Sequence, residues 1–380
     1  MACCGCTAAG CGTAAPTCWP WHCCCNGAPC WLPGACCRSA SGPDSAVCLY
    51  FFNQNGYQAM IDERILQHIP GMAAARRVPS IDAADLTEER FRRDYVDRNL
   101  PLLIKGAIRH WPACGRWTDK RYLAGKVGEN KVNLYRHLNF SNDATMKRSA
   151  IPGTMAQALD VLHSDEDAVI FLPFRVDAPN SKFTSLKDDI GGVRFLAKPK
   201  KPLFYPRART FMYRGAGSGW HTHTIDETLM CQIGGAKRVG LLPAKDASYA
   251  ALKRIFFSER YLDDPNVFDE LPAKLRPFVA DVEQGDALYI PPSWWHGVQP
   301  IDEGVGATLA FCWRSPLHKI SDLSYPPVRE LWREAYAKPN LGMLVMPLWG
   351  LASLGALLGY RLKCLFRRPA GVTTEPPAQA

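Results

Sequence analysis

The feature that most constrains the fold is a run of short, strand-like segments between residues 210 and 314. Each is rich in β-forming residues, and glycine or proline turns punctuate the run, which reads TFMYRG, WHTHTIDE, TLMCQI, KRVGLLP, DALYIPP and GATLAFCWR. Many short strands with such turns are typical of a β-sandwich or barrel. One helical insertion, KDASYAALKRIFFSERYL, falls between the fourth and fifth segments. The sequence therefore predicts a mostly β protein with flanking helices.

Composition narrows the class of protein without naming a function. Hydrophobic residues make up 47% of the chain, which is enough for a sizeable core and excludes global disorder. The net charge of +9 is moderate for 380 residues. It permits an acidic partner, but it gives no support for a nucleic-acid partner. No dinucleotide-binding glycine motif, P-loop or internal repeat is present.

The first 59 residues differ from everything that follows. They hold 12 of the 16 cysteines and almost no charge, whereas the other four cysteines are scattered. Residues 1–59 could be a metal-binding or disulfide-rich head, a processed targeting segment, or an over-extended start ahead of Met60 or Met72. The abrupt change in composition favours the last interpretation, so we expect this head to lie outside the fold. The sparse cysteines of the body indicate a reduced, cytoplasmic protein.

Residues 319–380 return to a helical pattern. Within them, 341–360 are twenty uncharged and mostly apolar positions, followed by four basic residues. That length and charge pattern suits a membrane-spanning or membrane-associated segment with a cytosolic end. Pro347 and four glycines instead permit a broken helix that packs on the domain or on a second subunit, as in a homodimer.

Two histidines, His221 and His223, suggest a metal site. On a strand, residues two apart point to the same face, so these two imidazoles and Glu227 should face one way and Asp226 the other. A bulge near Ile225 would change which of the two carboxylates faces inward. For a lone histidine, a hydrogen-bonded core residue is the better interpretation. His296, which follows PPSWW, weakens that alternative, because a barrel can bring it opposite the first pair. We therefore predict a transition-metal site.

Both halves of this pattern resemble known motifs. Gly215, His221-x-His223, Glu227 and Gly234 are spaced as in the first cupin motif, and GDALYIPPSWWH resembles the second. QIGGAKRVGLLPA and RNLPLLIKGAIRHWP are similar to the cupin-like jumonji-C family of iron(II)- and 2-oxoglutarate-dependent oxygenases. The resemblance covers residues 78–318. It implies a double-stranded β-helix barrel of the cupin or jelly-roll type, followed by C-terminal helices.

The resemblance also implies roles for individual residues. His221 and His296 would bind iron(II), and Lys237 would hold the far carboxylate of 2-oxoglutarate, with Arg238 as the alternative. His223 stands where the family has an aspartate or glutamate, so His223, Asp226 or Glu227 would complete the ligand set. The candidate pocket-lining residues are Tyr213, Ser218, Thr228 and Cys231. Of these, Tyr213 and Ser218 are possible contacts of the cosubstrate.

Three functions follow from this pattern. The first is an iron(II)- and 2-oxoglutarate-dependent hydroxylase that acts on a protein side chain or another macromolecule. The second is a cupin metalloenzyme that uses no 2-oxoglutarate, which His223 with Glu227 would suit. The third is a non-catalytic metal-binding protein with a degenerate site. Substrate choice would lie in loops such as 138–150 and 178–208, and nothing in their sequence identifies a substrate.

Overall fold

A computed structural model describes residues 24–25, 28–29, 64–135, 150–164, 170–177, 182–244, 248–272, 274–337 and 342–366. The chain divides into two units, Met1–Tyr57 and Gln58–Ala380. In the first unit, strands β1 (Cys24–Cys25) and β2 (Ala28–Pro29) pair antiparallel. The interpretations of residues 1–59 otherwise lie outside the described residues, as does nearly all of the loop 138–150.

Two β-sheets form the body of the second unit. In chain order its strands are β3 (Arg76–Arg77), β4 (Ser80–Asp82), β5 (Leu102–Lys105), β6 (Lys131–Tyr135), β7 (Ala150–Thr154), β8 (Ile170–Phe174), β9 (Ala208–Arg214), β10 (Ser218–His221), β11 (Asp226–Gly234), β12 (Lys237–Pro243), β13 (Phe278–Val282), β14 (Ala287–Ile290), β15 (Trp294–Pro300) and β16 (Gly306–Arg314). The larger sheet has nine strands in the order β4-β5-β14-β11-β16-β9-β8-β6-β7. The smaller has five, in the order β10-β15-β12-β13-β3.

Antiparallel pairing between non-consecutive strands closes these sheets over one another. β11 lies between β14 and β16, and β15 lies between β10 and β12. From β9 to β16 the chain passes back and forth between the two sheets, except that β12 and β13 are neighbours in the smaller one. Only β3–β13 and β4–β5 pair in parallel among the described strands. This arrangement confirms the predicted mostly β, double-stranded β-helix fold with C-terminal helices.

Side-chain alternation along β11 separates the interior of the barrel from its outer wall. Met230 contacts the cluster between the two sheets, with Val239, Leu241 and Ile290. Cys231 points the other way, into the cluster behind the larger sheet. All nine residues of β11 are buried, because helices and loops cover that outer face. The middle of the strand, Leu229 to Cys231, is therefore apolar on both faces rather than alternating.

Eight α-helices cover the sheets in the described residues. They are α1 (Arg64–Gln67), α2 (Glu88–Arg90, continued by a π-helical turn over Phe91–Val96), α3 (Ala113–Arg116), α4 (Lys120–Val127), α5 (Met155–Leu162), α6 (Tyr249–Ser258), α7 (Pro326–Tyr336) and α8 (Gly342–Phe366). Short 3-10 turns lie at Met72–Ala74, Ala83–Asp85, Thr184–Asp189, Arg194–Leu196, Arg260–Leu262 and Pro265–Phe268. α6 matches the predicted helical insertion, and its Phe256 stacks on Trp220 with ring centroids 5.0 Å apart.

Residues 64–77 precede the predicted domain start at residue 78, yet they pack on the smaller sheet. Ile65 and Leu66 are 4% exposed and belong to the cluster around Trp220. The indole Nε1 of Trp220 donates a hydrogen bond of 2.7 Å to the Ile65 carbonyl. β3 adds a fifth strand to that sheet. This segment therefore contributes both core and sheet to the second unit.

The C-terminal helix α8 packs on the rest of its own unit. Tyr360 stacks on His318 at 4.0 Å, and its hydroxyl donates to the Asp97 carbonyl at 2.8 Å. Trp349 stacks on Trp332 of α7 at 5.5 Å. Among the described residues, no helix combines the length and apolarity needed to cross a membrane. This finding goes against the spanning interpretation of 341–360, whereas the predicted membrane association and the predicted homodimer stay predictions.

Candidate metal centre

Three histidines converge between the two sheets. His221 ends β10, and its register partner across the sheet is His296 of β15. His223 lies in the short turn that joins β10 to β11. The ring centroids of His221 and His296 are 4.1 Å apart, and His223 lies 5.3 and 4.9 Å from them. One nitrogen from each ring falls within 4.8 Å of the others, so the three could hold one metal ion.

Hydrogen bonds at Nδ1 orient all three rings. Nδ1 of His221 lies 2.8 Å from the Gly219 carbonyl, and Nδ1 of His296 lies 3.1 Å from the Trp294 carbonyl. A carbonyl can only accept, so each of these Nδ1 atoms carries the proton. The third ring, His223, makes its Nδ1 contact with the Thr228 hydroxyl at 2.8 Å. Nε2 is thus the nitrogen that each imidazole can offer to a metal, an outer-shell arrangement typical of metal-bound histidines.

Burial keeps these imidazoles neutral. Removal from water, against the opposing hydrogen bond to the Gly219 carbonyl and with a smaller contribution from the positive charge of Arg209, lowers the pKa of His221 to about 4. Burial also holds the pKa of His223 and of His296 well below the usual range, with a contribution from the neighbouring histidines. Neutral imidazole is the form that binds metals. The site therefore presents three metal ligands but no ligand charge.

Neither candidate carboxylate reaches the histidines. Asp226 accepts backbone hydrogen bonds of 2.8 to 2.9 Å from the amides of Leu203, Phe204 and Tyr205. Glu227 faces the outer side of the larger sheet, where it forms a buried ion pair with Lys319. The prediction that Glu227 shares the face of the histidines does not hold, because the turn between β10 and β11 interrupts the alternation. Within the part of the chain that the structure describes, the possible metal ligands at this site are the three histidines.

The interactions of Glu227 form a buried polar cluster behind the barrel. Its Oε1 lies 2.5 Å from Lys319 Nζ and accepts a hydrogen bond from Ser315 at 2.9 Å. Its Oε2 accepts from the Tyr289 hydroxyl at 2.5 Å. Burial lowers the pKa of Lys319, and the charge of Glu227 opposes that shift. Every charge in this cluster has a partner, so its role is structural.

Lys237 presents the opposite case. It begins β12, is 4% exposed, and shares a cavity with the histidines. Its Nζ lies 3.6 Å from the centroid of the Tyr213 ring, and no carboxylate among the described residues pairs with it. Desolvation lowers its pKa to about 7, although the negative charge of Asp302, which accepts a hydrogen bond from the amide of the preceding Ala236, opposes the shift. Arg238 points outward, where its Nε lies 2.6 Å from Asp281 Oδ1. It is therefore not an alternative to Lys237 as the anion-binding residue of the cavity.

Side chains from both sheets line this cavity of about 50 Å³. Of the predicted liners, Ser218 and Thr228 are present at its wall, whereas Cys231 points into the outer cluster. Tyr213 is not among its lining residues; its ring lies against the Lys237 ammonium, and its hydroxyl accepts a hydrogen bond of 2.7 Å from Gln232. The remaining walls are largely apolar, formed by Phe211, Met230, Ile290, Val298 and Ala310. Such walls exclude water from the space beside the histidines.

Arg209 is the site residue that sequence reasoning missed. It lies on β9, lines the same cavity, and its guanidinium stacks over the Tyr205 ring at 4.6 Å. That ring lies 4.7 Å from the ring of His223. In the sequence, Arg209 looks like part of the solvated basic segment KPKKPLFYPRAR. Its inward direction could have been read only from the alternation of β9, in which Arg209, Phe211 and Tyr213 share a face.

Comparison with known proteins agrees with this geometry. Residues 88–318, more than half of the chain, match the family model of the cupin-like domain. The tRNA wybutosine-synthesizing protein 5 of Gallus gallus is 27% identical over 63% of this chain and 78% of its own length. The Jumonji C domain-containing protein 5 of Drosophila melanogaster is 25% identical over 62% of this chain. The Lysine-specific demethylase JMJ30 of Arabidopsis thaliana is 24% identical over 62% of this chain.

The matched part spans 59% of the Drosophila relative and 55% of the Arabidopsis one. The matched region contains both strands that hold histidines and the buried lysine. The double-stranded β-helix fold, the three histidines between its sheets and the family match all indicate the same protein family. The chain belongs to the cupin-like, jumonji-C-type family.

Proposed function

We propose that this protein is an iron(II)- and 2-oxoglutarate-dependent oxygenase that hydroxylates a side chain of a protein or another macromolecule. The observation that carries the proposal is the pairing, in one cavity, of three neutral imidazoles with a buried lysine that lacks an acidic partner. A buried ammonium is costly unless an anion meets it. A dicarboxylate that also binds the metal would supply that anion.

The donor set fits a transition metal. Three imidazoles suit iron, zinc, copper or nickel, and their hydrogen-bonded Nδ1 atoms hold them with Nε2 toward a common point. Membership of the jumonji-C-type family favours iron among these metals. When bound, iron(II) supplies the activation of dioxygen, in the overall reaction R–H + O₂ + 2-oxoglutarate → R–OH + succinate + CO₂.

The chain's own residues position the reactants. His221, His223 and His296 hold the metal, and the ammonium of Lys237 binds the far carboxylate of 2-oxoglutarate. Binding that anion restores the proton that burial makes labile on Lys237, because a nearby negative charge stabilises the ammonium. Ser218, which lines the cavity, and Tyr213, whose ring contacts the Lys237 ammonium, are the further candidates for this subsite.

A macromolecular substrate is supported by the rim of the site and by the relatives. Asp226 fixes the loop that carries Leu203, Phe204 and Tyr205. Tyr205 lies against His223, while Leu203 and Phe204 are 49% and 71% exposed. Exposed apolar side chains beside a cavity suit contact with a larger partner. The relatives include proteins named as lysine-specific and arginine-specific demethylases and as tRNA wybutosine-synthesizing proteins.

The test uses the full chain. Its metal content is determined, and 2-oxoglutarate binding and succinate release are then measured with iron(II). We expect one metal per chain and slow succinate release even without the macromolecular substrate. Lys237→Met should abolish 2-oxoglutarate binding, and the matched control Arg238→Met, whose side chain is paired outside the cavity, should retain it.

The other outcomes distinguish the alternatives. Metal binding without 2-oxoglutarate binding would indicate a cupin metalloenzyme of another kind. A chain that binds metal but turns over no substrate would be the non-catalytic metal-binding protein, and a chain that binds neither would contradict the proposed function and both alternatives.

A further inference from the structure

The cavity beside the histidines contains two cations and no acid among its described lining residues. The cations are Lys237, from the smaller sheet, and Arg209, from the larger sheet. Asp226 and Glu227, the acids nearest in sequence, are bound elsewhere. With a divalent metal between three neutral imidazoles, the cavity would hold at least three positive charges at neutral pH. Such a site requires an anionic ligand to compensate them.

Arg209 has unused hydrogen-bonding capacity in this cavity. Its Nε is buried and has no hydrogen-bond partner, and its Nη2 makes only a 3.7 Å contact with the sulfur of Cys312. Stacking against Tyr205 fixes the guanidinium plane beside His223. A guanidinium presents its donors in a planar fork that matches a carboxylate. Leaving a buried donor unsatisfied is unfavourable, so the geometry favours a bound anion there.

We propose that Arg209 binds the metal-proximal carboxylate of the 2-oxo acid, so that Arg209 and Lys237 hold the two ends of the dicarboxylate. This inference rests on the proposed function and assigns a residue to its cosubstrate. Lys237 lies over Tyr213, four residues beyond Arg209 on β9. Four strand residues span about 13 Å between Cα atoms, and the two long side chains shorten that gap from both ends. In this assignment a five-carbon diacid bridges the remaining gap between the ammonium and the guanidinium, which line the same cavity.

The same assignment explains how the site functions without a carboxylate ligand. In place of a protein aspartate, the carboxylate of the 2-oxo acid would lie between the metal and the guanidinium. Arg209 repels the metal alone but attracts the metal together with the 2-oxo acid. Binding of the two ligands should therefore be strongly cooperative, and the coupling must be reciprocal. If Arg209 had a purely structural role, its substitution would weaken the binding of both the metal and the 2-oxo acid.

The experiment measures two affinities by titration calorimetry on the full chain. The first is for Mn²⁺ alone, and the second is for 2-oxoglutarate added to the Mn²⁺-loaded protein. In Arg209→Gln, we expect the affinity for 2-oxoglutarate to fall about tenfold to a hundredfold, as for a lost hydrogen bond to a charged group. The affinity for Mn²⁺ alone should rise or stay unchanged. Arg207→Gln, a substitution of the same type two residues away and outside the cavity lining, is the matched control.

A second ligand shows which carboxylate Arg209 binds. Pyruvate keeps the 2-oxo and 1-carboxylate groups but lacks the far carboxylate. Arg209→Gln should weaken pyruvate and 2-oxoglutarate by the same factor, whereas Lys237→Met should weaken 2-oxoglutarate alone. Equal affinities of the wild-type chain and Arg209→Gln for 2-oxoglutarate would overturn this assignment and leave the proposed function standing. A wild-type chain that binds Mn²⁺ but not 2-oxoglutarate would overturn both.

Discussion

Two buried lysines, Lys319 and Lys237, occupy opposite sides of the same barrel wall and differ in what surrounds them. Lys319 lies behind the larger sheet, where Glu227 and the Tyr289 hydroxyl bind its ammonium. Lys237 lies inside the barrel, with an aromatic ring against its ammonium and no acidic partner in the described residues. The paired lysine stabilises the fold, whereas the unpaired lysine is the one proposed to bind a ligand. Acidic partners, more than burial, distinguish a structural cation from a binding one.

The largest expected effect comes from breaking the paired cluster. Lys319→Met would leave Glu227 buried without its counter-charge, which typically costs about 3–5 kcal/mol of unfolding free energy. Urea denaturation of the full chain measures this loss. The double variant Glu227→Gln with Lys319→Met should recover most of it, because it removes both charges. A loss below about 1 kcal/mol in the single variant would contradict the structural role.

Removing the unpaired Lys237 should stabilise the chain instead of destabilising it. Lys237→Met is expected to raise the unfolding free energy of the ligand-free chain at pH 7 by on the order of 3 kcal/mol, because burial disfavours the ammonium. Since the folded pKa is about 7 and the unfolded value is 10.5, the unfolded chain binds more protons in between. Lys237 should therefore make the wild-type chain more stable as pH rises from 7 toward 10. That contribution to the slope should vanish in Lys237→Met, and a decrease in stability on substitution would refute this account.

An acid can also be added to the cavity. His223→Asp would place a carboxylate among the metal ligands, and the affinity for Mn²⁺ measured by calorimetry should rise at least tenfold through direct charge attraction. His110→Asp, at an exposed histidine remote from the cavity, is the control. Unchanged or weaker metal binding would show that the turn holds position 223 too far away for the shorter side chain.

The smallest expected effect concerns the hydroxyl that orients His223. Thr228→Val removes the partner of its Nδ1, and loss of such an outer-shell contact typically weakens metal binding about tenfold. Thr210→Val is a matched control, since the Thr210 hydroxyl is buried without a hydrogen-bond partner. Calorimetry with Mn²⁺ should separate the two variants. Equal affinities would mean that packing alone orients the ring of His223.

The sequence predicted those parts of the barrel that depend on local pattern. Short strands with glycine and proline turns indicated the double-stranded β-helix, and the spacing around His221 and His296 indicated the centre that both help to form. The direction of Glu227 could not be predicted, because alternation was extrapolated through a turn that interrupts it. Its partner Lys319 lies beyond the predicted domain end at residue 318, so the local sequence pattern could not predict the buried ion pair. Long-range pairing of this kind has no signature in sequence spacing.

The turn between His221 and Asp226 carries a consequence for how such proteins diverge. It connects the end of β10 to the start of β11, yet the register of β11 is fixed independently by its eight-residue ladder with β16. An insertion or deletion in this turn can therefore replace one ligand of the centre while the barrel stays in register. A single insertion or deletion there can therefore change the metal preference of such a barrel. It can also abolish or restore activity without disturbing the fold. The ligand set of this barrel is in that sense more evolvable than its core.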